Sequence, residues 1–323
     1  MRAFLAAVGL ATLAWALVAP ALAADGTMSV PPVKPLVPVT AALPAMPNAP
    51  AGAVTVLFDA IIASGGKPLV EPIAWTVVKA EGGETVAQEN GASPKFALAP
   101  GRYKVTAQID QTKVTKELLV GTSSGKQTIN LNAAYLTVKM IPWAGAPVIA
   151  DDVTWELYVY AGGATENGKK LAATTAPTEA YILPAGAYVV RGRYDASTAD
   201  TVVPLQAGQG YNYTVNLYAG LLDARAVLPS GADLSGQVTW EILKAKPGKD
   251  GKRQQVAWIT GKKHAFTLRE GSYVVIARES NSSTMETVDI VPGKTKKLKL
   301  VLKPNVDQAP ASPAIPIATT TGG

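Results

Sequence analysis

The side chains that could do chemistry are few. The chain of 323 residues has no cysteine and one histidine, His264. That excludes disulfides, thiol catalysis, thiolate metal centres and a lipid-modified cysteine. A single imidazole beside Lys262 and Lys263 has no histidine or cysteine partner with which to hold a metal, so no metal or other cofactor is expected. The carboxylate pair Asp151-Asp152 precedes a strand, where aspartate serves as a local acceptor for turn backbone. No phosphate loop or dinucleotide fingerprint is present, and no nucleophile and base can be paired. The chain is read as a binding protein, not an enzyme.

Two sets of residues could carry that binding. Tyr158 and Tyr160 are two apart in one strand-like run, and Tyr211 and Tyr213 in another, so each pair shares a strand face and could stack on a sugar ring. The competing use of such residues is core packing or a contact between domains. Lysines form the second set. Residues 220–304 hold 15 Lys and Arg against 8 Asp and Glu, whereas residues 51–133 hold 8 against 7 and residues 134–219 hold 5 against 7. Lys262 and Lys263 stand beside His264, and Lys294, Lys296, Lys297 and Lys299 fall in one edge-strand run. A positive face of this kind attracts anionic polysaccharide or lipid headgroups. Lysines also blunt an edge strand against aggregation, which is the competing reading.

The elements that position these residues recur. Trp75, Trp155 and Trp240 sit in the settings IAWTVVKA, VTWELYVY and VTWEILKA, and a Gly-x-Tyr follows each at Gly101, Gly186 and Gly271, spaced 85 residues apart. Each copy closes on a glycine and a strand-like run, giving repeats at 51–133, 134–219 and 220–304. Within a copy the apolar pattern has period two: Tyr103, Val105, Ala107 and Ile109 alternate with Lys104, Thr106, Gln108 and Asp110. Only 17% of residues are charged, and 29 Gly and 24 Pro punctuate runs of strand length. Three antiparallel β-sandwiches of about seven strands follow, each with its tryptophan in the core and Gly-x-Tyr at a tight turn between sheets. Their short junctions should restrict motion between them and make an elongated protein.

The run Phe96-Ala-Leu-Ala-Pro-Gly-Arg-Tyr-Lys-Val has echoes starting at Tyr181 and Phe266. It resembles the turn of carboxypeptidase-regulatory-like, transthyretin-like and collagen-adhesin B-type domains, and is similar to tandem repeats appended to von Willebrand factor A-type proteins of α-proteobacteria. The resemblance covers about residues 51–304 and implies an immunoglobulin-like fold. It does not single out a function, since this sandwich class serves as spacer, adhesin module, carbohydrate binder and assembly subunit alike. The Asp-x-Ser-x-Ser of an A-type metal site is missing. Some collagen-adhesin B-type domains carry an internal Lys-Asn crosslink, for which Lys139, Glu156 and Asn216 would be the counterparts. The alternation contradicts it, because Leu136, Val138 and Met140 take the inward positions and leave Lys139 on a solvated face.

The ends bear on location. Arg2, the apolar run from Ala3 to Val18 and the Ala21-Leu22-Ala23 cleavage pattern read as a signal peptide over residues 1–24. A Pro/Ala-rich linker over 25–50 and a Pro- and Thr-rich tail over 305–323 read as disordered. The expectation is a periplasmic or extracellular, non-enzymatic structural or protein-interaction subunit of the bacterial envelope. It has no transmembrane segment after cleavage and docks protein partners by strand addition, with nucleic acid not expected as a partner. The alternative is a carbohydrate- or anionic-polymer-binding module acting through the tyrosines of the second repeat or the basic third repeat.

Overall fold

The computed structural model describes residues 51–304 apart from Ser235 and Asn281. The expected signal peptide, linker and tail lie outside the described residues. Among the described residues every regular element is a β-strand, and no helix is long and apolar enough to cross a membrane.

The first sandwich uses β1 (Val54–Ile61), β2 (Ile73–Lys79), β3 (Thr85–Gly91), β4 (Lys95–Leu98), β5 (Gly101–Ile109), β6 (Thr112–Val120) and β7 (Gly125–Asn130). A three-stranded sheet, ordered β4-β1-β7, faces a four-stranded one, ordered β3-β2-β5-β6. The second uses β8 (Ala133–Ile141), β9 (Val153–Gly162), β10 (Glu166–Ala176), β11 (Thr178–Pro184), β12 (Gly186–Tyr194), β13 (Ser197–Leu205) and β14 (Gly210–Asn216). Its sheets are β11-β8-β14 and β10-β9-β12-β13. The third uses β15 (Ala219–Val227), β16 (Thr239–Lys244), β17 (Gln255–Thr260), β18 (Lys263–Arg269), β19 (Gly271–Glu279), β20 (Ser282–Ile290), β21 (Thr295–Val301) and β22 (Lys303–Pro304), in sheets β18-β15-β21 and β17-β16-β19-β20-β22. In each sandwich the first strand pairs antiparallel with the fourth and parallel with the seventh.

The repeated residues act alike in each copy. Trp75, Trp155 and Trp240 are almost wholly buried, and each still satisfies its indole N–H, which donates to the carbonyls of Gly91, Ala176 and Gly261 at 2.9, 3.0 and 2.8 Å. The tyrosine of each Gly-x-Tyr likewise donates its hydroxyl four residues back, to Ala99, Pro184 and Arg269 at 2.8, 2.8 and 2.7 Å. A large aromatic body is thus buried with its one polar atom paired, as burial requires. Gly101, Gly186 and Gly271 open the strand that follows the crossing from one sheet to the other.

One packing difference separates the copies. A Cβ on Gly192 would collide with Met140 Cε and lie 2.9 Å from the Trp155 ring. The strand registers put Ala60 and Ala107 in these two places in the first sandwich, and Ala226 and Ala277 in the third. The second core therefore exchanges two alanines for a methionine and a glycine around the same tryptophan.

Candidate interaction surfaces

The joints between sandwiches are built twice on one pattern. The β5–β6 hairpin turns at Asp110, and the β12–β13 hairpin at Asp195, with left-handed φ of 47° and 50° that aspartate tolerates. Asp110 Oδ2 accepts the Ile182 N–H at 2.6 Å, and the Thr112 hydroxyl donates to the Ile182 carbonyl at 2.9 Å. In the next joint Asp195 Oδ2 accepts the Thr267 N–H, and the Ser197 hydroxyl donates to the Thr267 carbonyl at 2.9 Å. An aspartate and a hydroxyl two residues later thus grip both backbone groups of one residue on the edge strand of the next sandwich. Ile182 is buried in the first sandwich's core, and Ala196 packs against the third's. Burial pushes the Asp110 carboxyl above its ordinary range, against the opposing effect of the Ile182 hydrogen bond.

A second device fixes the chain crossing. Asn130 and Asn216 accept the N–H groups of Asn132 and Tyr218 at 2.9 and 2.8 Å, where φ is 48° and 50°. The third repeat carries neither device, since Ser280 and Val301 stand where the others have Asp and Asn. Sequence reasoning missed these groups, although Asp-x-Thr/Ser at a spacing of 85 residues was a signal within reach.

Of the predicted lysines, the structure brings some together. Arg225 on β15 lies between Lys263 on β18 and Lys299 on β21, so three cations cross the outer face of this sheet. Lys297 shares the face one step along, opposite Asp223. Lys296 has the opposite phase on β21, Lys294 lies in the preceding turn and Lys262 in the β17–β18 turn; all are exposed. Arg225 was not among the expected residues, and its Nε donates to Asp233 at 2.8 Å, which offsets part of the charge. His264 is only half buried, its ring 4.3 Å from that of Phe266.

The four tyrosines do not form one strip. Tyr158 and Tyr160 are on β9 and Tyr211 and Tyr213 on β14, which belong to the two different sheets of the second sandwich. Tyr211 and Tyr213 stack with centroids 6.2 Å apart and pack against the core. Tyr158 lies under Lys170 and Arg191, and Tyr160 donates to the Gly163 carbonyl. Lys139 is exposed, and Glu156 is taken up by Lys170 and by Arg193, the latter at 2.9 Å. Those partners, Lys170 foremost, hold the Glu156 carboxyl below its ordinary range.

The outer faces of the larger sheets diverge. One row crossing each sheet reads Gln88, Thr76, Thr106, Thr115 in the first copy and Ala173, Glu156, Arg191, Asp200 in the second. In the third it reads Trp258, Glu241, Ile276, Met285. Trp258 and Met285 are each 70% exposed, and Trp258, Glu241, Thr239, Gln255 and Arg278 line a surface cavity of about 360 Å³. Glu241 and the buried Ile276 lie between these two exposed apolar side chains.

Residues 56–133 match the Rhizobiales growth-associated tandem repeat domain, which is about a quarter of the chain. No curated protein matches. Among solved structures, the chain is similar to the Bacillus anthracis TIE protein at 12% identity and a TM-score of 0.23, over 78% of this chain and 51% of that one. It thus spans about half the length of that protein. A streptococcal ancillary pilin is 12% identical with a TM-score of 0.28, over 77% of this chain and 99% of the pilin. The minor pilin GBS52 of Streptococcus agalactiae is 15% identical with a TM-score of 0.29, over 56% and 100% of the two chains.

Proposed function

We infer that the chain is a non-enzymatic structural subunit that is exported to the bacterial envelope and works by holding protein partners. The observation that carries this reading is the doubled joint. Three sandwiches that bind one another through side-chain hydrogen bonds to each other's backbone and shared apolar contacts are suited to transmitting position, which a flexible string of binding modules is not. The exposed Trp258 and Met285 on the outer face of the third sandwich's larger sheet give such a subunit apolar contacts for a partner. Size exclusion of a gentle envelope extract from the source cell at high salt tests the reading. Co-elution of the untagged protein with a larger assembly is expected, and elution as a lone monomer would overturn it.

A second reading rests on the Lys263, Arg225 and Lys299 row, which suits anionic polysaccharide or lipid headgroups. It requires binding that weakens steeply with ionic strength, since exposed charges are screened. Retention on anionic vesicles at low salt, lost on replacing Lys294, Lys296, Lys297 and Lys299 together by Gln, would favour it.

A further inference from the structure

Each joint needs an edge-strand residue whose N–H and C=O point away from its own sheet. Ile182 lies opposite Tyr135, and Thr267 opposite Leu221. The first sandwich has the same position at Ala97, opposite Thr55 on β1 and 85 residues before Ile182. In an antiparallel pair the hydrogen-bonded and non-hydrogen-bonded residue pairs alternate. The Phe58 N–H donates to the Pro94 carbonyl at 3.0 Å, so Val56 and Phe96 form the next bonded pair, and Ala97 falls in a non-bonded one. Its two backbone groups therefore point outward, as those of Ile182 and Thr267 do. The difference is cover: Ile182 and Thr267 are buried under a preceding hairpin, whereas Ala97 is exposed.

We propose that the β4 edge at Ala97 is an open socket for the Asp-x-Thr/Ser hairpin turn of a partner protein's sandwich repeat. The two joints inside the chain supply the geometry: the partner's carboxylate accepts the Ala97 N–H, and its hydroxyl donates to the Ala97 carbonyl. A second copy of this chain is not the occupant, because its last repeat has Ser280 in place of the aspartate and Val301 in place of the joint asparagine. The first repeat therefore offers an open acceptor at Ala97, and the third repeat lacks the aspartate that would fill one. This inference rests on the reading of the protein as an interaction subunit and names the chemistry of one of its partners.

The test uses the purified full chain. In amide hydrogen exchange Ala97 is expected to exchange at least about tenfold faster than Ile182 and Thr267, because no turn covers it. An Ala97 amide as protected as the other two would mean that the chain itself fills the socket, and would overturn the proposal. Ser280→Asp then makes the chain its own probe by restoring the missing carboxylate. Joints within one chain benefit from an effective concentration of about millimolar, so sedimentation velocity is run up to that range. The variant is expected to associate with rising concentration while the unaltered chain stays monomeric. Adding Ala97→Pro should abolish the association, since the N–H it removes takes no part in the sheet and proline is tolerated at such an edge. A Ser280→Asp chain that folds and remains monomeric overturns the proposal, and self-association of the unaltered chain through Ala97 would replace the partner by a second copy. The exchange measurement stands by itself should Ser280→Asp alter the fold. None of these outcomes depends on what co-elutes from the envelope.

Discussion

Replacing Asp110 by Ala isolates the contribution of one joint. The carboxylate receives the Ile182 N–H at 2.6 Å, and Ile182 is buried, so truncation leaves a donor inside the joint without an acceptor. A hydrogen bond to a charged group contributes about 1.5–3 kcal/mol. Burial already disfavours the ionised carboxyl of Asp110, which places the expected loss toward the lower end. At about 1.4 kcal/mol per factor of ten, the Ile182 amide should exchange roughly ten- to a hundredfold faster, while Ile129 and Val77 in the first core change little. Asp110→Asn keeps an acceptor without the buried charge and should lose less. NMR-detected hydrogen exchange reads all of these amides at once. An Ile182 rate unchanged by Asp110→Ala would show that Ile182 is held by apolar packing alone, and the clasp would be incidental. Equal acceleration of Ile129 and Val77 would instead show that the first sandwich and the joint open as one unit.

Gly192→Ala should destabilise the second sandwich by about 1–3 kcal/mol in urea titration, the usual cost of overfilling a core. Adding Met140→Ala should recover most of it by recreating the alanine pair of the other two copies. The two shifted carboxylates predict opposite pH effects. Glu156, held low by Lys170 and Arg193, adds stability above the ordinary carboxylate pKa that is lost as pH falls through its own depressed value. Asp110, pushed up by burial, makes its most favourable contribution below the ordinary value and loses it as pH rises through the raised one. Carboxyl chemical shifts should place the Asp110 midpoint above the ordinary aspartate value and that of Glu156 below the ordinary glutamate value, and Glu156→Gln should flatten the acid limb of the stability curve. Trp258→Ala should leave the melting temperature within a degree or two, since the ring is 70% exposed, yet reduce co-elution with the envelope assembly.

The three sandwiches were legible because the signals that specify them are local and repeated. The alternation around Tyr103, the fixed tryptophans and the tyrosines of Gly-x-Tyr are all set by which side chains face a core, and the structure buries those aromatic residues. The surface was legible only in part, because neighbours on a sheet face come from strands far apart in sequence. Lys297 and Lys299 are two apart and share a face, but the arginine between Lys299 and Lys263 could not be placed without the register of β15 against β18 and β21. Each tyrosine pair lies on a single strand, yet nothing in the spacing tells which sheet of the sandwich that strand joins.

The joints escaped notice for a different reason. Asp110 and Asp195 occupy hairpin turns, where aspartate is common for its own local bonding, so a turn role sufficed to explain them. Their second partner lies about 72 residues away, on the next sandwich. What distinguishes them is the exception in the third copy: if the aspartate served only its own turn, the β19–β20 hairpin would gain from it equally, and Ser280 has the same left-handed φ, at 48°. Aspartate is present where a sandwich follows and missing where none does within the described residues. The aspartate is therefore better explained by the next repeat than by its own turn, and by the same logic the exposed Ala97 of the first repeat is an acceptor of the same kind, which the proposed partner's turn would fill.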